Sequence, residues 1–175
     1  MRAVSHPTRN APDPGLPRHF RSCLGAFATG VTIVATCAAE GSVAGLTVNS
    51  FNSLSLDPPL VLWSLRRASG NAALFREASN FSVSVLAAGQ LGLARHFALS
   101  APERFAGVAH HEGLGGCPLV DAAIAWFECE TVSVQELGDH LLFIGRVLRC
   151  ARVPGVPLVF HQGDFGQTTA LDADS

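Results

Sequence analysis

Apolar residues recur at helical spacing at Phe20, Leu24 and Phe27, which predicts a short amphipathic helix over residues 18–28, stopped by Gly30. Val31 to Thr36 then reads as a strand, Glu40-Gly41 as a turn and Ser42 to Leu56 as a return strand, so the two form a hairpin. After Asp57-Pro58-Pro59, which cannot continue a central ladder, Leu60 to Leu65 is short and almost wholly apolar, the pattern of a strand buried on both faces. A helix over 72–78, an alternating strand over 81–86 and helical spacing from Gln90 to Ala98 follow. Ser100-Ala-Pro-Glu103 is a capping box before Phe105, and residues 106–117 form a glycine-rich loop. Two long alternating strands, 123–136 and 140–153, meet at Gly138-Asp139, and residues 157–165 close as a hairpin around Gly163. Six or seven mostly hairpin-linked strands with two or three peripheral helices predict a mainly β fold, an antiparallel barrel of Greek-key type. A doubly wound parallel sheet would alternate strands and helices throughout. Residues 1–16 and 167–175 read as flexible ends around one domain spanning 17–166.

One segment breaks the pattern. From Gly45 to Pro59 the chain carries six hydroxyl or amide side chains, with Leu46, Val48, Leu54 and Leu56 on one face and Thr47, Asn49, Ser53 and Ser55 on the other. Ser50, Phe51 and Asn52 are out of phase. Such a slip marks either an edge strand with a bulge at Ser50-Phe51 or a place where the main chain meets a ligand. A second polar cluster, Ser64-Leu65-Arg66-Arg67-Ala68-Ser69-Gly70-Asn71, sits where a strand turns into a helix. It suits a phosphate held by free N–H groups and Arg66 or Arg67, and equally a helix cap at Ser69 or Asn71 beside two solvated arginines. Gly138-Asp139-His140 places a histidine at a hairpin tip before an apolar run, at the mouth of a barrel or half-buried against a carbonyl; His161 is similarly ambiguous. The adjacent His110-His111 point apart on an extended chain and lack a third ligand at suitable spacing, so no metal is expected.

Composition narrows the chemistry. The chain has no lysine and no tyrosine, which removes Schiff-base and P-loop lysines and a tyrosine acid. Its twelve cations are all arginine, scattered through a net charge of -2, so nucleic acid is not an expected partner. Five widely spaced cysteines without a C-x-x-C pair fit mostly buried free thiols in a reducing compartment. No signal peptide or membrane-length apolar run is readable, which leads us to expect a cytoplasmic protein. With 48% hydrophobic and 15% charged residues in 175, there is apolar surface to spare for a subunit interface. The Rossmann, nucleophile-elbow and zincin motifs are missing.

Phe27-Ala-Thr-Gly-Val-Thr-Ile-Val34, Gly45-Leu-Thr-Val-Asn-Ser-Phe51 with Ser-Leu-Ser-Leu-Asp-Pro-Pro59, Phe81 to Leu86, Arg104-Phe-Ala-Gly-Val108, Gly138-Asp-His140 and Pro157-Leu-Val-Phe-His161 occur in an order that resembles the flavin reductase-like family, the FMN-binding split barrel. The resemblance covers about residues 18–166. It implies NAD(P)H-dependent reduction of FMN or FAD, with reduced flavin passed to a flavin-dependent monooxygenase, in a homodimer with flavin near the subunit interface. It further implies that Thr47, Val48, Asn49, Ser50 and Phe51 line the isoalloxazine, and that residues Ser64 to Asn71, including Leu65, Arg66 and Ser69, take the phosphate. Phe97 and Phe105 would pack near the flavin, His140 would stand beside the nicotinamide of NADH or NADPH, and His161, Gly163 and Phe165 would border the same mouth. The chain departs from the pattern at Phe165, where many relatives carry tyrosine, and at Gln162, where many carry arginine. Two other functions share such a barrel: a flavin-retaining oxidase or binding module, and a haem protein with His110, His140 or His161 as axial ligand.

Overall fold

A computed structural model describes residues 15–99, 101 and 103–170. In chain order the elements are α1 (Leu16–Gly25), β1 (Thr29–Gly30), β2 (Thr32–Cys37), β3 (Val43–Val48), β4 (Asn52–Leu56), β5 (Pro59–Arg66), α2 (Ala72–Glu77), β6 (Asn80–Val85), α3 (Leu91–Ala98), β7 (His110–Glu112), β8 (Pro118–Val120), β9 (Ala125–Leu137), β10 (His140–Arg152), β11 (Leu158–His161) and β12 (Asp164–Gln167). Seven strands form an antiparallel sheet in the order β3-β2-β6-β9-β10-β5-β4. Thus β3 and β4, successive in the chain, occupy opposite edges of one sheet.

That arrangement forces the sheet to curl. Laid flat, the outer strands of seven would stand roughly 29 Å apart. The link from Val48 to Asn52 reaches at most about 15 Å. The edges are drawn together at residues 49–51, and the result is a barrel split along that seam. The return strand expected over residues 42–56 is therefore two strands: its first half pairs with β2 and its second half with β5. The phase slip at Ser50-Phe51 is the crossing between them and not a bulge; the register irregularity of this region lies later, between Ser53 and Ser55.

Two packed clusters fill the fold. Inside the sheet, Trp63 stacks on Phe143 at 4.4 Å with Phe75 and Phe81 edge-on to it, surrounded by Val34, Val83 and Leu141. On the other side of β2, Ile33 and Ala35 pack with Val31, Leu86, Ala94, Phe97 and Phe105. Residues of β2 feed both clusters alternately, which is why its burial is continuous. β5, expected to be buried on both faces, instead alternates, with Val61, Trp63 and Leu65 inward.

The remaining differences from expectation concern short elements. β1, β7 and β8 have two or three residues each, too few to show a period, and β7 lies inside the expected glycine-rich loop. α1 forms two residues earlier than its spacing indicates, with Pro17 in its first turn, and none of its residues is buried. Cys117 and Cys129 are buried, and burial pushes their thiols up to about 11 and about 12, whereas Cys23 and Cys150 are exposed. The capping box at Ser100-Ala-Pro-Glu103 falls partly on residues outside those described, as do residues 1–14 and 171–175 of the expected ends.

Gly45 allows α3 and the following loop to approach β3. A Cβ there would lie 2.7 Å from Phe105 Cε2 and 3.0 Å from Phe97 Cε1, both rings being buried. Gly45→Ala is expected to overpack this contact and destabilise the fold by about 1–3 kcal/mol. The check is the urea midpoint of the variant; an unchanged midpoint would refute the contact's importance.

Candidate functional site

The seam leaves main-chain groups with no ladder to join. Asn49, Ser50 and Phe51 make no hydrogen bonds to other main-chain groups among the described residues. Their neighbours hold them in place. Thr32 Oγ1 donates to Val48 O at 3.0 Å, and Thr47 Oγ1 donates to Ala94 O at 2.6 Å. Ser50 Oγ accepts from Ser64 N at 2.9 Å and donates to Ser64 O at 3.2 Å, so one hydroxyl stands in for a ladder pair where the main chain has left β5. The hydroxyls of Thr47 and Ser50 are thus engaged by the protein, while the peptide groups of 49–51 are left without a main-chain partner among the described residues.

Two cavities meet at Asn49 and Ser50. The first, of about 590 Å³, brings together Thr47, Val48, Asn49 and Ser50 with Ser64, Leu65, Arg66 and Ser69 of the next turn, and with His140. This strand cavity collects residues from the polar strand, the arginine turn and the hairpin tip. It forms because β5 and β10 are paired, with His140 directly opposite Arg66 and both side chains on one face. The turn separates its two arginines. Arg67 bonds Glu136 at 3.4 Å, a carboxylate that also accepts from Arg76 at 2.7 Å and is held below the usual carboxylate range chiefly by Arg76. The Arg66 guanidinium makes no hydrogen bond or ion pair among the described residues and lines the cavity, its charge adding a little to the lowering of the Asp139 carboxyl pKa. His140 Nδ1 lies 2.8 Å from Asp139 Oδ1; that hydrogen bond is the main cause of a lowered Asp139 carboxyl pKa.

The second cavity, of about 1250 Å³, lies between α1 and the barrel. Phe51, Gly163, Gln162 and Phe160 line it from the barrel side. Gln162 and Gly163 form the turn between β11 and β12 with φ of +51° and +92°, and Gln162 N donates to Gly25 O at 2.9 Å, tying the end of α1 to the hairpin.

Five expected site residues line neither cavity. Phe97 and Phe105 pack edge-to-face at 4.8 Å in the second core cluster. Asn71 stands at the start of α2, its N–H directed to Ser69 Oγ at 3.3 Å. His161 is exposed opposite Asp164 at the end of β11, and Phe165 packs on Phe160. His110 Nδ1 lies 2.7 Å from Val108 O and His111 Nδ1 lies 3.0 Å from Asp121 Oδ1, both away from these cavities. Sequence reasoning missed the polar face of α1, Arg18, Arg21 and Ser22. Their i, i+3, i+4 spacing was visible, but a polar helix face ordinarily meets solvent.

Ser50→Ala removes the acceptor of Ser64 N–H and the donor to Ser64 O. A loss of about 1–3 kcal/mol in unfolding free energy is expected, with Ser50→Thr retaining most of it. Equal urea midpoints for wild type and Ser50→Ala would show that the hydroxyl bridge contributes nothing.

Comparison with known proteins gives a consistent result. The flavin reductase like domain family matches residues 24–169. The chain is 40% identical over 169 residues to the FMN reductase (NADH) SmoA of Agrobacterium fabrum, covering 95% of this chain and 96% of that protein. It is 38% identical over 148 residues to the reductase component of the flavin-dependent trigonelline monooxygenase of Acinetobacter baylyi, covering 85% of this chain and 48% of that longer protein. Among solved structures, the NADH:FAD oxidoreductase SgcE6 of Streptomyces globisporus, in complex with NAD and FAD fragments, superposes with a TM-score of 0.85 at 37% identity, covering 95% of this chain and 100% of that one. A match over most of the domain, in sequence and in fold, places this chain in the flavin reductase like domain family.

Proposed function

We propose that the protein is an NAD(P)H:flavin oxidoreductase that binds FMN or FAD in the strand cavity and releases reduced flavin to a separate flavin-dependent monooxygenase. The observation that carries this reading is the seam. Peptide groups of Asn49 and Ser50, free of any ladder, adjoin the Arg66 guanidinium in the strand cavity, and Phe51 lines the helix cavity that meets it there. A flat ring edged with hydrogen-bonding atoms and carrying a phosphate fits that donor set. The main chain of 49–51 would hold the ring edge, and Arg66 with the Ser69 hydroxyl would hold the phosphate. α2 has only six residues, so the guanidinium supplies most of the attraction.

Hydride transfer from a bound nicotinamide to a bound flavin would be chemistry that belongs to the two cofactors. The chain's own part is to orient and to keep the acceptor edge hydrogen-bonded as charge develops there. That task needs no lysine or tyrosine. His140, fixed by Asp139 and facing Arg66, borders the same cavity and would help to position the ligand. SmoA by its name and the trigonelline reductase component by its role support the flavin substrate and the monooxygenase partner respectively.

A homodimer is part of this reading. Leu16, Phe20, Leu24 and Phe27 are 48–69% exposed, an apolar edge along and just past α1 that a second copy would cover. Free thiols at all five cysteines suit a reducing, cytoplasmic setting; among the described residues no helix is long and apolar enough to cross a membrane.

The purified protein is expected to oxidise NADH only when FMN or FAD is added, and equal rates with and without flavin would overturn the reading. Arg66→Gln should raise KM for FMN about tenfold while leaving KM for riboflavin, which lacks the phosphate, unchanged. In sedimentation experiments the wild type should run as a dimer and Phe20→Asp as a monomer; a monomeric wild type would refute the interface.

A further inference from the structure

Arg104, which opens the stretch Arg104-Phe-Ala-Gly-Val108, lines neither cavity. Its side chain is nonetheless fully occupied, and by main-chain carbonyls. Nη1 donates to Gly45 O of β3 at 2.7 Å and to Phe97 O of α3 at 3.4 Å, while Nε donates to Ala101 O at 3.2 Å. His96 Nε2 lies 2.7 Å from Arg104 O, and because a carbonyl only accepts, that ring nitrogen carries the proton. Arg104 is thus tied to α3 through both its side chain and its main chain. A planar guanidinium that reaches a strand and a helix through one nitrogen fixes their separation better than a flexible chain could.

The strand it holds is the one that needs holding. β3 is a sheet edge, paired only with β2. Two side-chain hydrogen bonds join it to α3 and the loop beyond: Arg104 to Gly45 O, and Thr47 Oγ1 to Ala94 O at 2.6 Å. They come at alternate residues on the way to Asn49, where the chain leaves the ladder. Leu46 to Ser50 and Ala98, the last residue of α3, share the wall of the strand cavity. Each carbonyl that Nη1 binds belongs to the residue just before a wall residue: Gly45 precedes Leu46, and Phe97 precedes Ala98. Phe105, next to Arg104, packs on Phe97 at 4.8 Å and so presses the same two elements together.

Resting on the flavin reading above, we propose that Arg104 is a positioning residue of the reductase: by bridging Gly45 and Phe97 it holds β3 and α3 at the spacing that admits the flavin ring to the strand cavity. It touches no ligand, and its effect passes through the cavity wall.

Flavin titrations by fluorescence quenching, run well below the melting temperature on wild type, Arg104→Gln and Arg66→Gln, test this. Arg104→Gln should weaken FMN and riboflavin alike, about tenfold, since a displaced wall acts on the ring that both share. Arg66→Gln, acting on the phosphate, should weaken FMN alone. Arg104→Lys keeps the charge without the planar fork and should fall between wild type and Arg104→Gln. A folded Arg104→Gln protein with wild-type affinity for both flavins, whatever its melting temperature, would show a purely structural role and overturn the proposal, as would a loss confined to FMN. If Arg104→Gln does not fold, Arg104→Lys carries the test, and wild-type affinity for both flavins in that variant overturns it. Failure of the flavin reading looks different: the wild type itself would bind neither FMN nor riboflavin.

Discussion

Everything at this site follows from joining the two edges of one sheet with three residues. A sheet whose first and last strands are successive in the chain has no choice but to close, and at the point of closure its main chain runs between ladders. Backbone polar groups without partners are costly when buried. Here they are tolerated because they open onto cavities. The protein limits the cost by using side chains locally: Ser50 replaces a missing ladder pair to Ser64, and Thr47 and Thr32 anchor the end of β3 just before the gap. Hydroxyls that look like ligand contacts are thus the fastening that frees the peptide groups.

The same closure explains the electrostatics. Pairing β5 with β10 puts Arg66 opposite His140, and the turn after β5 sends Arg67 outward to Glu136. Of two adjacent arginines one is neutralised at the surface and the other kept for the cavity. With no lysine in the chain, every permanently charged side-chain cation is a planar guanidinium fork.

Much of this was legible in the residues, but unevenly. The phase slip at Ser50-Phe51 marked the right place because alternation is a local property, and a break in it survives folding whatever its cause. The cause itself was not local: whether the chain bulges or changes edges depends on the partner of β4, which is β5 and lies beyond the double proline. The arginine turn was readable as a polar cluster, yet which of its two arginines is paired at the surface depends on Glu136, sixty-nine residues from Arg67. Phe97 and Phe105 illustrate the converse. Aromatic residues near a motif suggest a ring contact, but Gly45 leaves a gap in β3 that these rings fill, and both are buried in the second core cluster.

Periodicity misled most at α1, and for a physical reason. A helical pattern identifies an apolar face without saying which side of it the molecule lies on. Gly25 is held to Gln162 by a main-chain hydrogen bond, so the helix cannot roll to bury Phe20 without breaking its tie to the β11–β12 turn. The hairpin therefore constrains its orientation. If a second copy covers Leu16 and Phe20, it also fixes the helix that carries Arg18 and Arg21. Subunit association and the placement of the two arginines would then be linked through one ten-residue helix, since covering one face of it would restrict the motion of the side chains on the other.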